Sequence, residues 1–138
     1  MPGIDEAVAF VPVRIALMTV SDTRTFADDT SGDTLAARIA EAGHILAARA
    51  IVTDDQAKIA AQLTAWIDDP AVDAVISTGG TGLTGRDVTV EAFQSVFEKQ
   101  IEGFAVLFHQ ISFAKIGTAT VQSRACAGVA RCPARPAR

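Results

Sequence analysis

Apolar residues fall in short blocks separated by polar stretches rich in helix-capping groups. Residues 13–20, VRIALMTV, form an unbroken apolar run with β-branched members, the pattern of a strand covered on both faces. The polar stretch that follows, SDTRTFADDTSGD, offers several capping groups (Ser21, Asp22, Asp29, Thr30, Ser31), one of which opens a helix. Leu35 and Ile39 lie on one face of that helix, and Gly43 closes it. Residues 44–53, HILAARAIVT, read as a second strand. Thr53 and Gln56 then fit a capping box ahead of a helix with Ile59, Leu63, Trp66 and Ile67 along one stripe. Asp68-Asp69-Pro70 ends it, and residues 72–78, VDAVIST, form a third strand. A glycine-rich loop leads to a helix from about Val88 to Glu98. A further helix starts near Gly103, with Phe104, Leu107, Phe108 and Ile111 on a face suited to a core or a subunit interface.

Strands alternating with helices predict an α/β fold of three layers, a mostly parallel sheet with helices on both faces. Ligands of such sheets sit beyond the carboxyl ends of the strands. Three polar segments fall there: residues 21–31, 53–56 and 78–87. Residues 1–12 read as a loose lead-in, 13–129 as one domain, and 130–138 as a disordered basic tail.

Composition narrows the function classes. The 138 residues, 49% of them hydrophobic, suit one domain with a real core. Uninterrupted apolar runs fall well short of the ~20 residues a membrane span needs, and MPGIDEAVAF lacks a basic signal-peptide start. The expectation is a soluble, cytoplasmic protein with no membrane partner. Cys126 and Cys132 have no second pair to complete a zinc site and read as reduced thiols. His44 and His109 have no partners at metal spacing and read as structural. All 16 acids lie within the first 102 residues, beside 7 of the 12 bases. A domain so acidic repels nucleic-acid backbones, so no nucleic-acid partner is expected.

The stretch STGGTGLTGRD, residues 77–87, carries the chemistry. Gly80, Gly82 and Gly85 match G-x-G-x-x-G between a strand and a helix, but Asp87 stands where a dinucleotide's pyrophosphate would lie. Two like charges about 4 Å apart repel by about 4 kcal/mol at an effective dielectric near 20, against roughly 0.3–2 kcal/mol gained from a helix dipole. A bare pyrophosphate is therefore a poor guest. A Walker P-loop fails as well, because Gly85-Arg86-Asp87 replaces Gly-Lys-Ser/Thr. A third reading reconciles the parts. Glycine amides and the hydroxyls of Thr78 and Thr81 cradle an anionic group, while Asp87 and Asp54 hold Mg²⁺, which reverses the local field. The plain alternative is that each acid is a helix N-cap.

These residues resemble the MoaB/MogA family of molybdenum cofactor biosynthesis. Ser21-Asp22 follows the first strand, and Asp29-Thr30-Ser31-Gly32 opens the first helix. Thr78-Gly79-Gly80-Thr81-Gly82 leads to Arg86-Asp87-Val88-Thr89 and Glu91-Ala92. Later come Gln110-Ile111-Ser112, Ile116-Gly117-Thr118 and Gln122-Ser123-Arg124-Ala125. The resemblance covers about residues 13–129. It implies a molybdopterin-binding fold assembled as a homotrimer or homohexamer, with ATP and molybdopterin as substrates and Mg²⁺ as cofactor. In the catalytic branch, the pterin's terminal phosphate attacks the α-phosphate of ATP and pyrophosphate leaves. Asp54 and Asp87 match the family's two essential aspartates. Ser21, Asp22, Thr78, Gly79, Gly80, Thr81, Gly82 and Ser112 match positions that line the pterin and nucleotide pocket. Arg124 faces the anionic substrate or serves packing.

Two departures matter. Val90 stands where the family has proline in the first turn of the helix. Residues 129–138, VARCPARPAR, lack the period of the family's last strand, Leu-Pro-Gly loop and final helix, so those elements are expected to be missing. That favours a non-catalytic carrier or scaffold as the alternative to an adenylyltransferase, and leaves a sheet edge uncovered.

Overall fold

The computed structural model describes residue 3 and residues 5–130. The basic tail from 131 onward, with Cys132, lies outside the described residues. In chain order the elements are β1 (Arg14–Val20), α1 (Thr30–Glu41), β2 (Ile45–Val52), α2 (Gln56–Asp68) and β3 (Ala74–Thr78). They continue with α3 (Thr89–Val96), β4 (Lys99–Gln100), α4 (Glu102–Ile116), a 3-10 turn (Gly117–Gln122) and β5 (Gly128–Val129). Every predicted strand and helix up to α4 is present, and the sheet is flanked on both faces by helices. The described part of the lead-in forms no strand or α-helix.

The main sheet has three parallel strands in the order β2-β1-β3. β1 is central and helices pack on both of its faces, so it needs no polar alternation. Ala16, Met18 and Val20 join Ile59, Leu63 and Trp66 of α2, with Val72 and with Ala92 of α3, in the hydrophobic core. The alternate residues Ile15, Leu17 and Thr19 point to the opposite face, where α1 packs. Val90 sits in the first turn of α3 and is buried, so the residue in place of proline adds core packing.

Two boundaries differ from expectation. Asp55, not Thr53, caps α2, its carboxylate accepting from Lys58 N at 3.0 Å. The third helix is shorter at each end than residues 88–98, because the chain turns extended at Phe97 to reach β4. The antiparallel pair β4–β5 is two residues long on each side, too short to leave a hydrophobic period in the sequence. α1 ends as predicted, with Gly43 at φ +80° just past the last helical turn.

Among the described residues β3 pairs only with β1. Its other side borders a cleft of about 830 Å³ walled by α2, α3, Phe104 and Phe108 of α4, and the segment before β5. α4 has no buried residue, although it is apolar nearly all round. With the 3-10 turn it forms the one stretch among the described residues, Glu102–Gln122 (mean hydropathy 1.2), long and apolar enough to cross a membrane by length and composition. The α-helical part has 15 residues. At 1.5 Å per residue that is about 22 Å, short of the ~30 Å hydrocarbon layer, and the helix breaks at Gly117, φ +62°.

Candidate functional site

The three loops at the carboxyl ends of β1, β2 and β3 meet, and their hydrogen bonds explain why. Ser21 N donates to Val52 O at 2.9 Å, so the first loop leaves the sheet beside the end of β2. Asp22 then reaches both neighbours. Its Oδ1 accepts from Asp54 N at 3.0 Å, and its Oδ2 accepts from Arg86 of the glycine loop through Nε at 3.2 Å and also through Nη2. Arg86 and the Asp54 amide hold the Asp22 carboxyl below its ordinary range.

The glycine loop owes its composition to close approach. Gly79 and Gly80 adopt φ +93° and +65°, which favour glycine. A Cβ on Gly79 would stand 2.2 Å from Val20 O. One on Gly80 would meet Thr89 Oγ1 at 2.3 Å and Asp54 Oδ1 at 3.0 Å, and one on Gly82 would meet Asp87 Oδ2 at 2.7 Å. Gly85 has open space around it, so the third glycine of the apparent dinucleotide motif meets no steric demand. Thr89 locks the turn: Oγ1 donates to Gly79 O at 2.8 Å and N donates to Gly80 O at 3.1 Å.

Neither candidate acid is a helix cap. Asp55 caps α2, and the N-cap of α3 is Val88, with no side-chain bond. Asp87 instead folds back on its own loop. Its Oδ2 accepts from Thr84 N at 2.9 Å and Thr84 Oγ1 at 2.7 Å, and these two donors do most to lower its pKa. Asp54 lies partly buried against Gly80 and accepts from no side-chain donor among the described residues. Burial, then the charges of Asp22 and Asp87, raise its pKa, while Arg86 acts against them. The pocket therefore carries excess negative charge.

The structure thus brings Ser21, Asp22, Asp54, residues 78–82 and Asp87 to one sheet edge. Ser21 Oγ accepts from Thr23 N and Arg24 N at 3.2 and 3.1 Å, so its acceptor side serves its own turn. Thr78, Gly79 and Thr81 also line the near end of the apolar cleft. Ser112 lies midway along α4, and among the described residues no hydrogen bond joins it to the glycine loop. Arg124, left open between substrate and packing, is a brace. Its backbone N donates to Thr81 O at 3.0 Å, Nε to Gly82 O at 2.9 Å and Nη2 to Asp87 O at 2.8 Å, and Nη1 pairs with Glu91. Sequence reasoning did not assign Thr89 or Arg86 a role. Both stood in the quoted Arg-Asp-Val-Thr motif, but the bond from Thr89 to a loop carbonyl and the pairing of Arg86 with the Asp22 carboxylate leave no periodic trace.

No group of three His, Cys, Asp or Glu among the described residues is arranged to hold a metal ion. Magnesium asks for less, since it is commonly held by one or two carboxylates together with phosphate oxygens and water. Asp54 against Gly80 and Asp87 against Gly82, hard oxygen donors in an acid-rich pocket, fit that pattern.

A family model described as "Probable molybdopterin binding domain" matches residues 16–137. The chain belongs to this family. It is 49% identical over 121 residues to molybdenum cofactor biosynthesis protein B of Escherichia coli K12, a match covering 88% of this chain and 71% of that protein. A crystal structure of a molybdenum cofactor biosynthesis protein B superposes with a TM-score of 0.86 at 41% identity, covering 89% and 77% of the two chains. The tungsten cofactor synthesizing protein MoaB of Pyrococcus furiosus superposes with a TM-score of 0.78 at 32% identity, covering 92% and 79%.

Proposed function

We propose that this chain acts in biosynthesis of the molybdenum or tungsten cofactor, binding molybdopterin at the glycine turn and adenylylating it with Mg-ATP. The observation that carries this reading is the position of Asp54 and Asp87. Both carboxylates adjoin the turn and neither caps a helix, so the plain alternative for each is removed. Family membership supports the pterin as ligand.

In the proposed reaction a terminal phosphate oxygen of the pterin attacks the α-phosphorus of ATP. A new P–O–P bond forms, the bond to the β-phosphate breaks, and its electron pair leaves on pyrophosphate. Positioning and neutralisation of charge supply most of the rate in such transfers. Asp54 and Asp87 would hold Mg²⁺, which supplies the positive charge that lets two anionic substrates share an acidic pocket. The backbone amides of residues 79–82 are fixed by Thr89 and Arg124, so they need no reorganisation to meet a phosphate oxygen. The uncovered apolar surface of α4 supports a homotrimer or homohexamer, and the cytoplasm is the expected compartment.

One observation favours a second reading, a carrier that binds the pterin without turnover. Oδ2 of Asp87 is already engaged by Thr84, so this acid already has a task in holding the loop. Incubation with molybdopterin and Mg-ATP, followed by detection of adenylylated pterin, separates the two. Turnover is expected. Asp87→Asn keeps an acceptor for Thr84 and should lose about 10²–10³-fold in turnover with pterin still bound. Pterin binding without product in the parent chain establishes the carrier, and absence of pterin binding rejects both readings.

A further inference from the structure

We propose that Arg86 is the cation that receives the anionic group of the site's ligand, with Asp22 as the counter-ion that holds it ready and competes for it. This rests on reading the site as one for phosphorylated ligands.

The pairing of Arg86 is incomplete in a specific way. Nε and Nη2 both go to Oδ2 of Asp22, while Oδ1 of that carboxylate is taken by the Asp54 amide. The fork-to-fork arrangement that would satisfy both partners is therefore not formed. The Nη1 hydrogens have no partner among the described residues. The side chain is 69% exposed, and that of Asp22 is 39% exposed. An exposed pair of this kind contributes little to stability, so stability alone gives a weak reason for an arginine here. Its surroundings give a stronger one. Arg86 leaves the glycine loop and reaches Asp22 in the loop after β1, with the charges of Asp22, Asp54 and Asp55 about it. A planar guanidinium with free donors beside glycine amides is suited to bidentate capture of phosphate oxygens.

The exchange needs no proton transfer. Arg86 gives up Asp22 Oδ2 for phosphate oxygens, and Asp22 stays anchored through Oδ1 to the Asp54 amide. Asp22 then acts as a positioning residue and a competitor, so removing either member of the pair should change anion affinity in opposite directions. A pair that merely tied the loops together would shift it in the same direction whichever member was lost.

The test is isothermal titration of the full chain with magnesium pyrophosphate. Arg86→Gln is expected to weaken binding at least tenfold. Arg86→Lys should fall between, since it keeps the charge and loses the fork. Asp22→Asn, which retains an acceptor for the Asp54 amide, is expected to tighten binding several-fold, and this gain should vanish in the double variant Asp22→Asn/Arg86→Gln. Thermal melting confirms that each variant folds, and Arg86→Lys carries the comparison if the glutamine variant does not. Unchanged binding by Arg86→Gln overturns the proposal while leaving the phosphate site intact. So does a gain from Asp22→Asn that persists in the double variant, because direct repulsion of the anion by Asp22 would then explain it. A parent chain that takes up no magnesium pyrophosphate overturns the phosphate-site reading and this inference together.

Discussion

Two acid-bearing regions at the carboxyl ends of the strands have opposite designs. At the start of α1, Asp29 is 1% exposed and fully partnered, accepting from Thr19 Oγ1 at 2.7 Å, Gly32 N at 3.0 Å and Arg49 Nη2 at 2.9 Å. Burial alone would raise its pKa, but Thr19, Arg49 and the Gly32 amide outweigh it and the net shift is downward. At the glycine turn, Asp54 is only partly buried, yet burial and the neighbouring charges of Asp22 and Asp87 raise its pKa. The first region spends its donors on an acid that ties α1 to β1 and β2. The second leaves an acid uncompensated, which costs stability and is the arrangement that the proposed ligand and cation site would require.

The comparison breaks most visibly at Asp29. Asp29→Ala removes a helix cap, the acceptor of the buried Thr19 hydroxyl and one of the two carboxylates paired with Arg49, which keeps Asp33, so a loss of about 3–4 kcal/mol is expected in urea unfolding. Because the folded pKa is lowered, the contribution of Asp29 is present above the ordinary carboxylate range and lost as pH falls through the folded value. The parent's advantage over the variant should shrink on acidification.

Gly79→Ala comes next. The φ of +93° and the contact with Val20 O predict a loss of about 2–4 kcal/mol, whereas Gly85→Ala should stay within about 0.5 kcal/mol of the parent. Equal losses in thermal melting would show that the loop obeys the dinucleotide fingerprint and not the close contacts described above.

Asp54→Asn sharpens the comparison with the smallest effect and the opposite sign. A raised folded pKa means that stability is fully present below the unfolded value and is lost as pH rises through the folded value. The neutral side chain escapes that loss. A gain of about 0.5–1 kcal/mol is expected at neutral pH, disappearing below the ordinary carboxylate range. A loss of stability at neutral pH would place Asp54 with Asp29 as a structural acid.

Much of this was readable along the chain. β1 showed as VRIALMTV because a strand covered on both faces is apolar throughout, and α2 showed as Ile59, Leu63 and Trp66 because its buried stripe follows the helical period. The placing of Asp54, Asp87 and the glycines at one edge followed from their positions just past the carboxyl ends of strands in a parallel sheet. α4 was less legible: Phe104, Leu107, Phe108 and Ile111 read equally as core or interface, and only the fold leaves the whole helix outside the core. The cap of α2 was misplaced by two residues because Thr53, Asp54 and Asp55 are all good caps, and the direction of the chain leaving β2 chose among them.

Sequence by itself determined the alternation of strands and helices, the layer architecture and the family, because these rest on local periodicity and contiguous motifs. Tertiary structure alone decided which acids are satisfied and which are exposed to one another, that Arg124 braces the glycine turn, and that Arg86 is paired to Asp22. Those assignments depend on side chains distant in sequence meeting across loops, and a hydrogen bond between them leaves no spacing to read.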